Sequence, residues 1–171
     1  MTSQKQSATV ATSKPVGFEK HDHALCIHEV LAAAERQCSI EGLRFTPVRR
    51  KVLEILLEEH RALGAYPILD RLQDAGFKSQ PPVAYRALDF LAAHGFVHKI
   101  ERLNAFVACM HPGTSHSPAF MICRKCDAVS EAPSAQVTHA LGEAARSAGF
   151  EIERTVLEAE GVCPACADTP A

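Results

Sequence analysis

The sequence has no tryptophan, and its aromatic residues make up only 6% of the 171. A single large core draws heavily on bulky rings, so two modest cores are expected instead. It also has no run near the roughly 18 apolar residues of a membrane span, so no membrane partner is expected. The first twenty residues, MTSQKQSATVATSKPVGFEK, lack the apolar centre of a secretory signal. They read as a polar, mobile tail, and a cytoplasmic location is the expectation. Strong charge of one sign is missing too. The net charge is −2, which alone argues against a nucleic-acid partner. There is no internal repeat and no low-complexity run beyond the tail.

What is present is a soluble globular composition, 47% hydrophobic and 22% charged. The charge is unevenly placed. Residues 41–102 hold ten Lys/Arg against eight Asp/Glu, and residues 103–171 hold four against eight. A basic half beside an acidic half is compatible with one domain that touches phosphate.

The first half has helical period. ALCIHEVLAAAERQCSIEG spaces its apolar residues by three and four and stops at Gly42. In RFTPVRRKVLEILLEEHR, Thr46 suits an N-cap and Pro47 the first helical position. Val48, Val52, Leu53, Leu56 and Leu57 form its apolar stripe. A third helix is expected through YPILDRLQDAGF, ending near Gly76. A fourth is expected in SQPPVAYRALDFLAAHGF, opened by Pro82 and closed by Gly95, with Leu88, Leu91 and Ala92 inward. After Gly95 the period becomes two, and FVHKIERLNAFVACM reads as a β-hairpin turning near Leu103 and Asn104.

Helices followed by a two-stranded hairpin give the winged helix-turn-helix order. In that arrangement the N-terminal residues of the last helix face base edges. Here they are Ala84, Tyr85 and Arg86. Arg is the commonest bidentate reader of guanine. Arg49, Arg50, Lys51, Lys99 and Arg102 are candidates for holding phosphates. The bland reading is a helical domain with solvated surface charges.

The second half reads as strands in PAFMICR and AVSEA, an amphipathic helix in SAQVTHALGEAARSAG, and a longer strand in FEIERTVLEAEGVC. Such a β-β-α-β unit is small for an independent domain. It leaves one strand edge open, and pairing that edge with a second copy points to a homodimer. The fold class expected is α+β. A tail over 1–23 precedes a winged-helix domain over 24–107. A hinge over 108–118 then leads to a small α/β dimerisation domain over 119–171.

Seven cysteines remain to be explained. In a reducing compartment, spaced pairs are more often metal ligands than disulfides. Cys123 and Cys126 form one Cys-x-x-Cys hook, and Cys163 and Cys166 form another. Two hooks suit a tetrahedral Cys₄ zinc that staples the ends of a small domain, with no open position for chemistry. A thioredoxin-like redox pair is the rival for either hook alone. Further donors lie at His98 and Cys109 on the hairpin, at His116 beyond it and at Glu131 after Cys126. Each has a plain reading as exposed His, buried Cys or solvated Glu. A metal holding all four would fix the angle between the two halves.

These segments together resemble the ferric uptake regulator family, and within it the zinc-responsive branch. The matching stretches are LRFTPVRRKVLEIL, PPVAYRALDFLAAHGFVHKIERLNAFVAC, HSPAFMICRKCDAVSE and GVCPAC, and the likeness spans about residues 25–167. It implies a zinc-dependent repressor that binds a palindromic operator in double-stranded DNA as a homodimer, upstream of zinc-uptake genes. It implies two zinc ions per chain. One is structural, at Cys123, Cys126, Cys163 and Cys166; the other is regulatory, at His98, Cys109, His116 and Glu131. It implies DNA contacts at Tyr66 and Arg86. The iron-sensing branch carries nearly adjacent histidines and an Asp before the first hook. This chain has HPGTSHSPAF there and supplies Cys109, and thiolate with imidazole suits zinc. An iron- or manganese-responsive regulator is the alternative within the family.

Two other classes compete. A zinc enzyme needs an open coordination position and a base, with Glu131 in that second role. Neither H-E-x-x-H nor H-x-E…P-C-x-x-C occurs, so no catalysis and no small organic substrate are expected. A zinc-stapled adaptor explains the hooks but not the Pro-Pro start, Tyr85, Arg86 and the hairpin. In HDHALCIH, His21 and His23 read as solvated tail and Cys26 as a helix-face residue, with an extra metal site as the rival. Cys38 reads as packed in its helix. His111 reads as a loop residue or an alternate ligand.

Overall fold

The computed structural model describes residues 23–59, 61–78, 80–113 and 116–167, with side chains from residue 27 onward. The tail expected over 1–23 falls outside the described residues except for the backbone of His23. His21 and the side chains of His23 and Cys26 also lie outside them.

Four helices come first: α1 (His23–Ile40), α2 (Pro47–Glu58), α3 (Ala65–Asp74) and α4 (Pro81–Ala93). The Thr46 hydroxyl accepts from the Arg49 N–H at 3.4 Å, so the expected cap of α2 is made. Gln80 is extended before the Pro pair, and α4 therefore starts at Pro81, one residue earlier than expected. At its other end Gly95 takes φ +72, a conformation that Cβ disfavours. This lets the Phe96 N–H bond the Leu91 carbonyl at 2.8 Å and turns the chain into β1. The inward face of α4 is Ala84, Ala87, Leu88 and Leu91. Ala92 is exposed, contrary to expectation, because the buried stripe has rotated past it.

Strands β1 (Val97–Ile100) and β2 (Ala105–Ala108) form the antiparallel hairpin. Asn104, at φ +45, completes its turn. A third segment lies beside it. Leu63 exchanges both backbone hydrogen bonds with Phe106, at 2.9 and 2.8 Å. Helices and hairpin base share one core, in which Leu53, Leu56, Leu72, Leu88, Leu91 and Phe96 are fully buried.

The second half contains β3 (Ala119–Cys123), β4 (Val129–Ala132), α5 (Ala135–Ser147), β5 (Glu158–Gly161) and the short α6 (Pro164–Ala167). The sheet order is β4-β3-β5, with β4 antiparallel and β5 parallel to β3. The long strand expected over 150–163 is only four residues of ladder, because β3 offers five residues to pair with. Its second core is not private. Ile100 and Val107 from the hairpin pack with Phe120, Ile122 and Val129 from the sheet. This is how a unit too small to fold comfortably alone is stabilised: the wing supplies two of the five buried residues of that cluster. By contrast, α5 buries none of its residues within the chain, and Val137, Leu141 and Phe150 stand exposed. No described helix is long and apolar enough to cross a membrane.

Candidate metal centres

The four hook cysteines meet. One sulfur from each of Cys123, Cys126, Cys163 and Cys166 lies within 4.8 Å of the other three. The first hook turns tightly after β3. Asp127 takes φ +56, a left-handed conformation that Asp tolerates better than most residues. Its N–H bonds the Cys123 carbonyl at 3.0 Å. The second hook is held by α6, where the Cys166 N–H bonds the Cys163 carbonyl at 3.0 Å. Cys126 and Cys163 sulfurs are 3.7 Å apart. A tetrahedral zinc with bonds of about 2.3 Å separates its sulfurs by about 3.8 Å. That pair is therefore spaced as two sulfurs on one zinc would be.

Its electrostatics suit a cation. The Cys163 N–H donates to the Cys123 sulfur at 3.3 Å and is the main cause that brings this thiol down to about 6. Cys166 is pushed up to about 12 by its hydrogen bonds with Cys163 and Cys126. A divalent cation bound here would hold all four as thiolates, since a coordinating thiol is deprotonated.

The second set also meets. His98, Cys109, His116 and Glu131 each bring a donor atom within 4.8 Å of the others. The His116 Nε2 is 2.7 Å from Glu131 Oε1 and 3.5 Å from the Cys109 sulfur. The His98 Nε2 is 3.9 Å from Glu131 Oε2, buried, and without a hydrogen-bond partner. Such an atom costs about 1–3 kcal/mol when nothing binds it. Burial lowers the His98 pKa, with Glu131 opposing and His116 assisting. Burial also pushes the Cys109 thiol up to about 12, although the His111 N–H pulls the other way. Two imidazole nitrogens, one sulfur and one carboxylate oxygen make a four-donor set suited to zinc.

The strands explain this convergence. In the hairpin His98 pairs with Val107, and Cys109 follows β2 directly, its N–H bonded to the Phe96 carbonyl at 2.9 Å. In the sheet Glu131 pairs with Phe120, whose ring lies 5.4 Å from that of His98. Phe120 is not singled out from sequence, because its place opposite Glu131 depends on strand register, which the local pattern does not give. His111 stands at the mouth of the cluster, 55% exposed, with Nδ1 3.8 Å from Glu131 Oε1. Cys38 is packed in the helical core as expected.

On the helical half, Tyr66, Tyr85 and Arg86 are exposed near the starts of α3 and α4. The Arg86 Nε donates to the Pro82 carbonyl at 3.1 Å. Ala84 does not join them. It is 1% exposed and faces the helical core, so it cannot reach a base edge. The difference is one of phase. Position alone put Ala84 beside Tyr85 and Arg86, but the helix turns it inward with Ala87 and Leu88. The expected phosphate holders all have partners. Arg50 meets Glu35 at 2.8 Å, Lys51 meets Glu54 at 3.3 Å, Lys99 meets Glu101 at 3.1 Å, and Arg102 pairs with Glu160. The Arg49 guanidinium lies over the Phe90 ring. Exposed pairs of this kind are worth about 0–1 kcal/mol, so phosphate can displace them.

A winged helix-turn-helix joined through a four-donor cluster to a Cys₄-hooked sheet defines the architecture of a metal-responsive regulator. The model of the ferric uptake regulator family matches residues 40–160. The zinc uptake regulation protein of Escherichia coli K12 is 40% identical over 144 residues, 84% of each chain. The chain belongs to the ferric uptake regulator family. A solved zinc uptake regulator complexed with zinc and DNA superposes with a TM-score of 0.79 at 39% identity, covering 83% of this chain and 95% of that one. The holo form of XcZur gives 0.75 at 42%, covering 82% of this chain and 99% of its own.

Proposed function

We propose that this protein is a zinc-responsive repressor that binds a palindromic operator as a homodimer and blocks zinc-uptake genes when zinc is sufficient. The observation that carries this reading is the seam cluster. His98 lies on the hairpin and Cys109 directly after it, while His116 precedes β3 and Glu131 lies on β4, yet all four donors lie within 4.8 Å. Holding them on one cation favours a single angle between the halves. The relatives named for zinc uptake, one of them solved with zinc and DNA, support the same conclusion.

Two zinc ions per chain are assigned, one to the Cys₄ cage and one to the seam. When bound, zinc supplies four-coordinate cross-linking with no open position, so the protein is a regulator and not an enzyme. Cys109 favours zinc over the iron or manganese alternative, because soft sulfur suits it. Tyr66, Tyr85 and Arg86 face DNA. Dimerisation covers the exposed face of α5 and the open edge at β5. The two reading helices then meet half-sites about one helical turn, or 34–36 Å, apart. A cytoplasmic location accompanies this role. Metal analysis of wild type and His98→Ala tests the assignment: two zinc ions per chain are expected in the first and one in the second. Equal zinc content in both overturns it.

A further inference from the structure

Besides the apolar core they share, the hairpin meets the C-terminal sheet through polar groups at the seam cluster and again at the hairpin turn. At the turn, Glu158 Oε1 accepts the Glu101 N–H at 2.7 Å, and Oε2 accepts the Arg102 N–H at 3.1 Å. One carboxylate thus engages two successive backbone donors, a strong charge-assisted arrangement. Side chains reinforce it from both directions. Arg154 pairs with Glu101, and Arg102 pairs with Glu160.

Glu158 stands in a particular place. Phe120 on the central strand pairs with Glu131 on one side and with Glu158 on the other. Residues paired across a sheet share a face. One transverse row therefore carries a seam donor, the ring against His98, and the carboxylate that grips the hairpin turn. Along the hairpin, His98 and Glu101 are three residues apart, or about 10 Å. Apolar packing between the hairpin and the sheet has no directional preference, so polar anchors set the angle. Two anchors separated by that distance oppose a swing about either one.

We propose that Glu158 is a positioning residue for metal-dependent DNA binding, clamping the hairpin turn so that closing the seam cluster orients the whole DNA-reading half. The proposal rests on the reading of His98, Cys109, His116 and Glu131 as the regulatory zinc site. Glu158 binds no metal and touches no DNA in this scheme. It makes the closed angle cheaper to reach, so zinc affinity and operator binding both depend on it through linkage.

The test uses full-length Glu158→Ala and the near-isosteric Glu158→Gln, with Glu151→Gln removing the same charge from the exposed surface as a control. Zinc affinity of the second site is measured by chelator competition without DNA, and operator occupancy is measured against buffered zinc. Glu158→Ala is expected to weaken seam zinc on the order of tenfold and to shift the zinc needed for half occupancy by a similar factor. Glu158→Gln should fall between it and wild type, and Glu151→Gln should match wild type. If Glu158→Ala does not fold, Glu158→Gln against Glu151→Gln decides alone. Wild type binding two zinc ions, with both Glu158 variants unchanged in zinc affinity, overturns the clamp even if their melting temperatures drop. An equal shift in Glu151→Gln overturns it as well, because charge alone then explains the loss. Wild type binding only one zinc overturns the seam reading, and the clamp with it.

Discussion

His98 Nε2 and Glu131 Oε2 face each other at 3.9 Å across the seam between the helical half and the sheet half. That distance is too long for a hydrogen bond and suits two ligands of one cation. The His98 nitrogen is buried and unpartnered, and burial lowers the pKa of its imidazole. An atom in that condition is a standing cost that ligation removes. The regulatory reading rests on this relationship.

Removing a seam donor should uncouple the sensor and leave the fold. His98→Ala and Cys109→Ala are expected to stay folded dimers, to lose one zinc per chain, and to need at least tenfold more free zinc for operator binding. Elemental analysis and a buffered-zinc titration check both. Wild-type zinc dependence in either variant would place the sensor elsewhere.

The hook cage should behave differently. Cys123→Ser removes the buried thiol that the Cys163 N–H serves. Structural zinc contributes on the order of 10 kcal/mol to small folds, so loss of this ion should unfold the sheet half and the dimer with it. Circular dichroism and sedimentation will show this. A Cys123→Ser dimer that retains two zinc ions contradicts the assignment.

DNA contacts separate by face. Arg86→Ala should weaken operator binding by about 1–3 kcal/mol and lower the ratio of specific to non-specific affinity. Ala84 is buried against the helical core. Ala84→Leu should therefore cost about 1–3 kcal/mol of stability through overpacking. A thermal melt together with a fluorescence-anisotropy titration at fixed salt distinguishes the two effects. An Ala84→Leu protein as stable as wild type would put Ala84 at the surface.

The exposed face of α5 predicts its own outcome. Leu141 is 42% exposed and contributes to no core among the described residues. Leu141→Glu should leave each chain folded and weaken the dimer. Sedimentation velocity across a concentration series checks this. An unchanged dimer would place the interface away from α5.

Much of this was legible from sequence because its signals are local. Thr46-Pro47 marks a helix start through its own backbone chemistry, and Gly95 marks a helix end through a conformation other residues resist. The two hooks are short enough for spacing to reveal them. The ligand set was readable as four chemically apt donors, and the resemblance gathered them into one site. Their convergence depends on strand register, which places Glu131 opposite Phe120 and so beneath His98. Helix phase was harder to read. Ala84 and Ala92 are small and fit either face, so neighbours rather than composition decided which was buried. The Glu158 contact joins residues 57 apart in sequence and involves backbone donors, which leave no mark on side-chain pattern. The length of β5 is not legible in the sequence for a similar reason, since the partner strand sets it.

The most direct test is operator binding against buffered free metal. A labelled palindromic promoter fragment is titrated with purified protein at fixed salt, because affinity for DNA depends steeply on ionic strength. Free Zn²⁺ is stepped through the sub-nanomolar range, with Fe²⁺ and Mn²⁺ in parallel. The account predicts occupancy that rises with zinc alone and is lost at the same zinc in His98→Ala. Occupancy that follows iron or manganese, or that ignores every metal, contradicts it.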